Sequence, residues 1–151
     1  MTYEDLLIEH DDSNLIIKEK PLQSSDGRIK NNRIAIRKDI PTVKKACVLA
    51  EELGHYHTTI GNIIEQQTIE DIKQERKARI WAYDKLIGLS GLIREFEHGC
   101  HGRYEIAEYL DVTEDFLQDA VDYYQVKYGR FATIDHYIIR FIPYLVIAKM
   151  L

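Results

Sequence analysis

Two glutamates and a histidine lie within one turn of a predicted helix, where their side chains could bind a metal ion. Glu51 and His55 are four residues apart and project from the same helical face, with Glu52 about 100° around the axis. The apolar residues around them predict a helix that is nearly surrounded by protein. Burying a carboxylate without a partner costs free energy. A metal ion is one candidate for that partner.

A further carboxylate, Glu75, shares a face of the next predicted helix with Ala78 and Ala82. If the two helices pack antiparallel, Glu75 could contact His55. The residues alone leave another interpretation open, because charged side chains are mostly exposed. In that interpretation the glutamates are solvated and pair with nearby cations, namely Lys44, Lys45, Arg76 or Arg79. Gly54 costs a helix about 1 kcal/mol relative to alanine, which indicates that a neighbouring backbone or a ligand approaches closely there.

Two segments resemble the motifs of ImmA/IrrE-type metallopeptidases. The segment Ala50-Glu51-Glu52-Leu53-Gly54-His55 is similar to the family's active-site helix, normally His-Glu-Leu-Gly-His. The segment at residues 75–86 is similar to the second motif, Glu-x-x-Ala-Asn-x-Phe-Ala-x-x-Leu-Leu, through Glu75, Ala78, Trp81, Ala82 and Leu86. The strand-like residues 34–40 before the first motif also fit, so the resemblance covers about residues 27–86.

The resemblance implies a role for each of the polar residues. His55 and Glu75 are expected to bind zinc, and Glu52 to act as the base that takes a proton from water and delivers it to the leaving amine. Glu51 stands where the motif has its first histidine, so the implied metal ligands are one histidine and two glutamates. This more anionic set leaves manganese, or no metal, as alternatives to zinc. Arg79 stands where the motif has asparagine.

His57 offers a second arrangement of the site. If the helix ended at Gly54 or His55, His57 could turn into the site as a ligand. On a continuous helix it points about 200° away from His55. It is then a surface histidine near a helix C-terminus, where positive charge is stabilised.

The implied function is that of a zinc-dependent endopeptidase which cuts a helix-turn-helix repressor of a phage or another mobile element at a specific site. The alternative is a metallopeptidase fold with weak or no catalysis that binds a regulatory protein. Glu51 keeps this alternative open, because it departs from the motif at a metal-ligand position.

The elements that position these residues predict an α+β fold. Two short strands around Asn31-Asn32 are expected to form a small antiparallel N-terminal sheet, packed on a zincin-like pair of helices at about residues 43–55 and 68–87. Helices at about residues 89–97 and within 103–124 follow, and then a final strand or hairpin within 131–142. The 151 residues are expected to form a single domain, with an active-site core at about 1–90 and a helical extension at about 91–151.

The charge pattern argues against direct DNA binding. Residues 103–124 resemble a helix-turn-helix core, but the would-be recognition helix at residues 114–124 has four acidic residues and no lysine or arginine. Phosphate would repel such a helix, and the net charge of the whole chain is -5.

The remaining composition predicts a cytoplasmic protein with no membrane partner. Cys47 and Cys100 are too few and too differently placed for a disulfide framework, which favours a reducing compartment. The first residues lack the pattern of a signal peptide. The most apolar stretch, residues 137–151, is interrupted by charged residues and proline and is too short to span a membrane.

Overall fold

The structure is a computed structural model that describes residues 1–58 and 71–151 in full, and the backbone of residues 69 and 70. It divides into two compact units, Met1–Leu86 and Ile87–Leu151. The boundary lies close to the predicted division near residue 90, and the expectation of a single domain stays a prediction. The expected loop at Gly61-Asn62 and the expected helix cap at Thr68 lie outside the described residues.

The first unit contains a three-stranded sheet in the order β1 (Ile16–Lys20), β3 (Arg33–Arg37), β2 (Gly27–Lys30). Strands β2 and β3 pair antiparallel around Asn31, whose φ of 55° lies in the left-handed region that a tight turn requires. This confirms the two predicted strands. The sheet has a third strand that the sequence analysis does not assign, namely β1, which pairs with β3 in parallel. The short apolar stretch at β1 carries no local signal of its distant partner.

Three helices accompany this sheet, namely α1 (Tyr3–Glu9), α2 (Thr42–Thr58) and α3 (Ile69–Leu86). Thr2 and Asp5 cap α1 reciprocally, as their spacing of three residues predicts. The sheet packs on α2, and its buried residues include Ile34 and Ile36. Helix α2 also packs against α1 and α3 and buries the residues Ala46, Cys47, Leu49, Ala50, Leu53 and Gly54. This confirms that α2 is largely enclosed by protein.

Helix α3 buries a narrow stripe formed by Ala78, Ala82 and Leu86. The helical spacing of apolar residues predicts Ile72 on the same apolar face, but Ile72 is 72% exposed. At 100° per residue it lies at the edge of the stripe and not within it. The small alanines of this stripe allow the backbones of α2 and α3 to approach closely.

The second unit contains α4 (Gly88–His98), α5 (Gly102–Leu110) and α6 (Glu114–Tyr128). An antiparallel sheet of β4 (Phe131–Ile134), β5 (Tyr137–Arg140) and β6 (Val146–Lys149) follows, in the order β4-β5-β6. The segment Asp111-Val112-Thr113 predicts a break between two helices. The structure confirms it, because Asp111 adopts a left-handed conformation and Thr113 caps α6. The predicted hairpin is β4–β5, and β6 extends it.

The fold class is therefore α+β, as the sequence predicts. None of the helices in the described parts of the chain is long and apolar enough to cross a membrane.

Candidate active site

The two motifs meet through His55 and Glu75. Nε2 of His55 lies 2.9 Å from Oε2 of Glu75, and their side chains are 22% and 44% exposed. One residue comes from the C-terminal part of α2 and the other from α3. This is the contact that the shared face of Glu75, Ala78 and Ala82 predicts. The side chains can still reach solvent, so a substrate or an ion has access to them.

Gly54 explains how the two helices come close enough for this contact. A Cβ atom at Gly54 would lie only 2.3 Å from the carbonyl oxygen of Ala78 and 3.0 Å from its Cα. No side chain fits in that space, so the glycine in mid-helix allows the backbone of α3 to lie directly on α2. The predicted close approach at Gly54 is confirmed, and the approaching group is backbone.

Glu52 lies beside this pair, beneath the first residue of β2. A Cβ at Gly27 would be 3.0 Å from Oε1 of Glu52, so the strand backbone passes directly over the carboxyl group. Burial, and then the negative charges of Glu75 and Glu51, raise the pKa of Glu52 to about 7. A carboxyl group with a pKa near neutrality can both accept and return a proton at physiological pH.

Arg79 is a further neighbour of the site, at a position where the family's motif has asparagine. Its Nε lies 3.6 Å from Oε1 of Glu75, one helical turn away. Glu75 therefore divides its two oxygens between Arg79 and His55. Pairing with Arg79 was one of the alternatives left open by the residues alone, and the structure shows that it occurs together with the His55 contact.

A family model described as IrrE N-terminal-like domain, of the Peptidase M78 type, matches residues 9–121, well over half of the chain. The chain belongs to the Peptidase M78 family. Comparisons with curated proteins and with solved structures returned no match. Family membership confirms the resemblance to ImmA/IrrE-type proteins and makes this a metallopeptidase-like protein.

M78 proteins are generally zinc-dependent, so the donors present can be tested for their fit to zinc. His55 and Glu75 supply an imidazole nitrogen and a carboxylate oxygen, the donor types that zinc binds. Their separation of 2.9 Å is a direct hydrogen-bond distance. Two donors of a tetrahedral zinc site, each about 2.0–2.1 Å from the ion, lie about 3.3 Å apart. The pair therefore fits zinc after a small separation of the two side chains.

The fit of the described residues to zinc is incomplete, because they do not place a third ligand beside His55 and Glu75. Glu51 is four residues from His55 on α2 and is partly buried. Within residues 1–58 and 71–151, however, no three His, Cys, Asp or Glu side chains are arranged so that they could hold a metal ion together. The structure brings His55 and Glu75 together, with Glu52 beside them, and leaves Glu51 outside a three-ligand cluster.

His57 takes no part in the His55–Glu75 contact of this M78 chain. Helix α2 continues to Thr58, and the His57 ring stacks on Trp81 at 4.9 Å. His57 Nε2 lies 3.1 Å from Nε2 of His10, whose Nδ1 donates to the carbonyl oxygen of Leu6. With that proton on Nδ1, His10 accepts from His57. No sequence pattern connects these two histidines, because their contact depends on how α1 packs on α2.

Proposed function

We propose that the chain is a zinc-dependent endopeptidase that cleaves a regulatory protein, a helix-turn-helix repressor of a mobile element, at a specific site. The observation that carries the proposal is the contact of His55 on α2 with Glu75 on α3, beside Glu52. Two family motifs that are separated in the sequence meet at one point of the fold. An arrangement that served only stability would not require a partly buried carboxyl group with a raised pKa next to this pair.

In this proposal His55 and Glu75 hold the metal ion, and Glu51 completes the set after a change of its side-chain conformation. The bound ion would act as a Lewis acid that polarises the scissile carbonyl group. Glu52 then removes a proton from the attacking water and transfers it to the leaving amine. The closeness of Gly27 to Glu52 leaves little room for bulk water on that side of the carboxyl group.

Three features of the site support the alternative function. Glu51 replaces a histidine, Arg79 occupies one oxygen of Glu75, and the described residues contain no three-ligand cluster. These features favour a metallopeptidase fold with weak or no catalysis that recognises a regulatory protein. The two proposals share the binding of such a protein and differ in whether the bound protein is cut.

The proposal is tested with the full chain and a purified helix-turn-helix repressor from a mobile element. The two purified proteins are incubated with and without zinc or manganese, and the products are identified by mass spectrometry. The endopeptidase proposal expects metal-dependent cleavage at one site and its loss in Glu52→Gln, with binding of the repressor retained. Binding of the repressor without cleavage under any of these conditions would favour the alternative.

Two further expectations belong to the same proposal. We propose that the protein acts in the cytoplasm, where a repressor would be found, and that it contacts the repressor and not DNA. The acidic residues Glu114, Asp115, Asp119 and Asp122 on α6 support the second point, since they would repel phosphate.

A further inference from the structure

The sheet of the first unit carries a concentrated positive charge on its outer face. Five exposed cations, which together form what we call the basic face, lie on three strands: Lys18, Lys20, Arg28, Lys30 and Arg33. The strand register places them on one side, because Lys18 and Arg28 both lie opposite Ala35, and Lys30 lies opposite Arg33. The buried residues Ile34 and Ile36 alternate with these positions and face the other side.

The charges of the basic face are not neutralised within the part of the chain that the structure describes. Two acidic residues near the sheet form ion pairs with other cations. Asp26 pairs with Arg37 and Lys44, and Glu19 pairs with Lys45. None of the five cations forms an ion pair with a described residue. They surround a shallow cavity of about 280 Å³, with apolar side chains such as Ile16 and Leu22 between them. The five cations therefore form a local positive patch on a chain whose net charge is -5.

The basic face is continuous with the candidate active site through β2. Among the described strands β2 lies at the edge of the sheet. It begins at Gly27, whose backbone lies over Glu52, and it then presents Arg28 and Lys30 outward. Three residues of strand span about 10 Å. An extended peptide beside β2 would therefore pass Glu52 and reach both cations within about four of its own residues.

We propose that the basic face docks an acidic, extended segment of a protein partner. The inference rests on the proposed function in one respect, namely that this segment flanks the bond that is cut. Side chains of an extended peptide that share one side repeat every two residues, at the same spacing as those of β2. Carboxylates at alternate positions would lie opposite Arg28 and Lys30 as cross-strand ion pairs. Lys18, Lys20 and Arg33 would raise the rate of encounter by attracting the same segment.

A nucleic acid fits this surface less well than an acidic peptide does. The basic face has no aromatic side chain on which bases could stack, and no helix that could enter a groove. Its width is that of three strands, about 10 Å between the outer two. Only an acidic peptide also accounts for the continuity with Glu52.

The experiment measures binding of fluorescent dodecapeptides to the full chain by anisotropy. One peptide alternates Glu with Thr, and its control alternates Gln with Thr. The protein variants are Arg28→Glu/Lys30→Glu and, as a control with the same change of charge, Lys73→Glu/Lys77→Glu at exposed positions of α3. Circular dichroism melting confirms that each variant is folded. A duplex DNA of twelve base pairs is measured in parallel.

We expect the wild type to bind the Glu peptide at least tenfold more tightly than the Gln peptide, with weaker binding at higher salt. The variant on β2 should lose at least tenfold in affinity, and the variant on α3 should change less than twofold. No preference for the Glu peptide, equal losses in both variants, or tighter binding of the DNA would each overturn the inference.

The same design separates this inference from the proposed function. Glu52→Gln abolishes cleavage in the proposed mechanism but leaves the five cations in place, so its affinity for the Glu peptide should equal that of the wild type. Peptide binding without any cleavage would contradict only the endopeptidase proposal. Cleavage of the repressor without peptide binding would contradict only the inference about the basic face.

Discussion

Gly54 of α2 lies against the backbone of Ala78 of α3 so closely that a Cβ atom would be 2.3 Å from the Ala78 carbonyl oxygen. This approach allows His55, the next residue, to contact Glu75. The glycine therefore has a functional consequence as well as a packing one. It sets the distance between the two motifs.

Gly54→Ala should destabilise the chain, although alanine is the better helix former. The added methyl group must push α2 and α3 apart, and overpacking of this kind costs about 1–3 kcal/mol. Urea unfolding followed by circular dichroism measures the loss. Gly91→Ala on α4 is the matched control, because the nearest atom to its Cβ would be at an ordinary 3.5 Å. There we expect a gain of up to about 1 kcal/mol. Equal effects at the two glycines would contradict the role given to Gly54.

Arg79→Asn should raise the affinity for zinc by a few-fold. It removes the cation that pairs with one oxygen of Glu75 and restores the residue type of the family's motif. Both side chains are about half exposed, so solvent screening keeps the effect modest. Isothermal titration with zinc measures it, and Arg76→Asn on the same helix is the control. If both variants behave as the wild type, Arg79 does not compete for Glu75.

Much of the site could be predicted from short-range patterns. The helical spacing of Glu51, Glu52 and His55, the shared face of Glu75 with Ala78, and the mid-helix position of Gly54 are all local features. Each one translates directly into a direction or a distance on a helix. The turn at Asn31 and the helix break at Asp111 were likewise predictable. Asparagine and aspartate tolerate the left-handed backbone conformation that both positions adopt.

The features that could not be predicted depend on contacts between distant segments. The parallel pairing of β1 with β3 joins residues about seventeen positions apart, so it follows no local rule. The basic face is assembled from three strands by their register, and the net charge of -5 conceals it. The ion pair of Arg79 with Glu75 is local, but its importance appears only where Glu75 also contacts His55.

Glu95 should make the stability of the chain depend on pH. It lies on α4 with 4% exposure, and burial raises its pKa from the ordinary 4.5 to about 7. The folded chain therefore retains a proton that the unfolded chain releases. Stability should fall as the pH rises from about 4.5 to about 7 and then level off, with a loss of at most about 3 kcal/mol from this group.

Glu95→Gln should remove that loss, because the amide stays neutral. Urea unfolding at pH 5 and pH 8 should show a smaller difference between the two pH values for Glu95→Gln than for the wild type. Asp119→Asn, at an exposed position of α6, should leave the difference unchanged. If Glu95→Gln shows the same difference in unfolding free energy between pH 5 and pH 8 as the wild type, other groups cause the pH dependence.

Glu51→His tests what the departure from the family's motif means. Neutral imidazole suits zinc and replaces an anionic oxygen, so affinity for zinc should rise at least tenfold, and any peptidase activity should rise with it. Adding Glu52→Gln should abolish cleavage and leave zinc bound, because Glu52 is assigned to proton transfer. If Glu51→His lowers the zinc content instead, Glu51 is a native ligand of a site tuned for it.

The most direct test of the whole account is a zinc titration of the purified, metal-free chain and its His55→Ala and Glu75→Ala variants. His136→Ala serves as the control, because His136 lies in the turn between β4 and β5 of the second unit. We predict that the wild type and His136→Ala each bind one equivalent of zinc, and that affinity falls at least a hundredfold in the other two variants. No binding by the wild type, or equal binding by all four proteins, would contradict the assignment of His55 and Glu75 as the metal site.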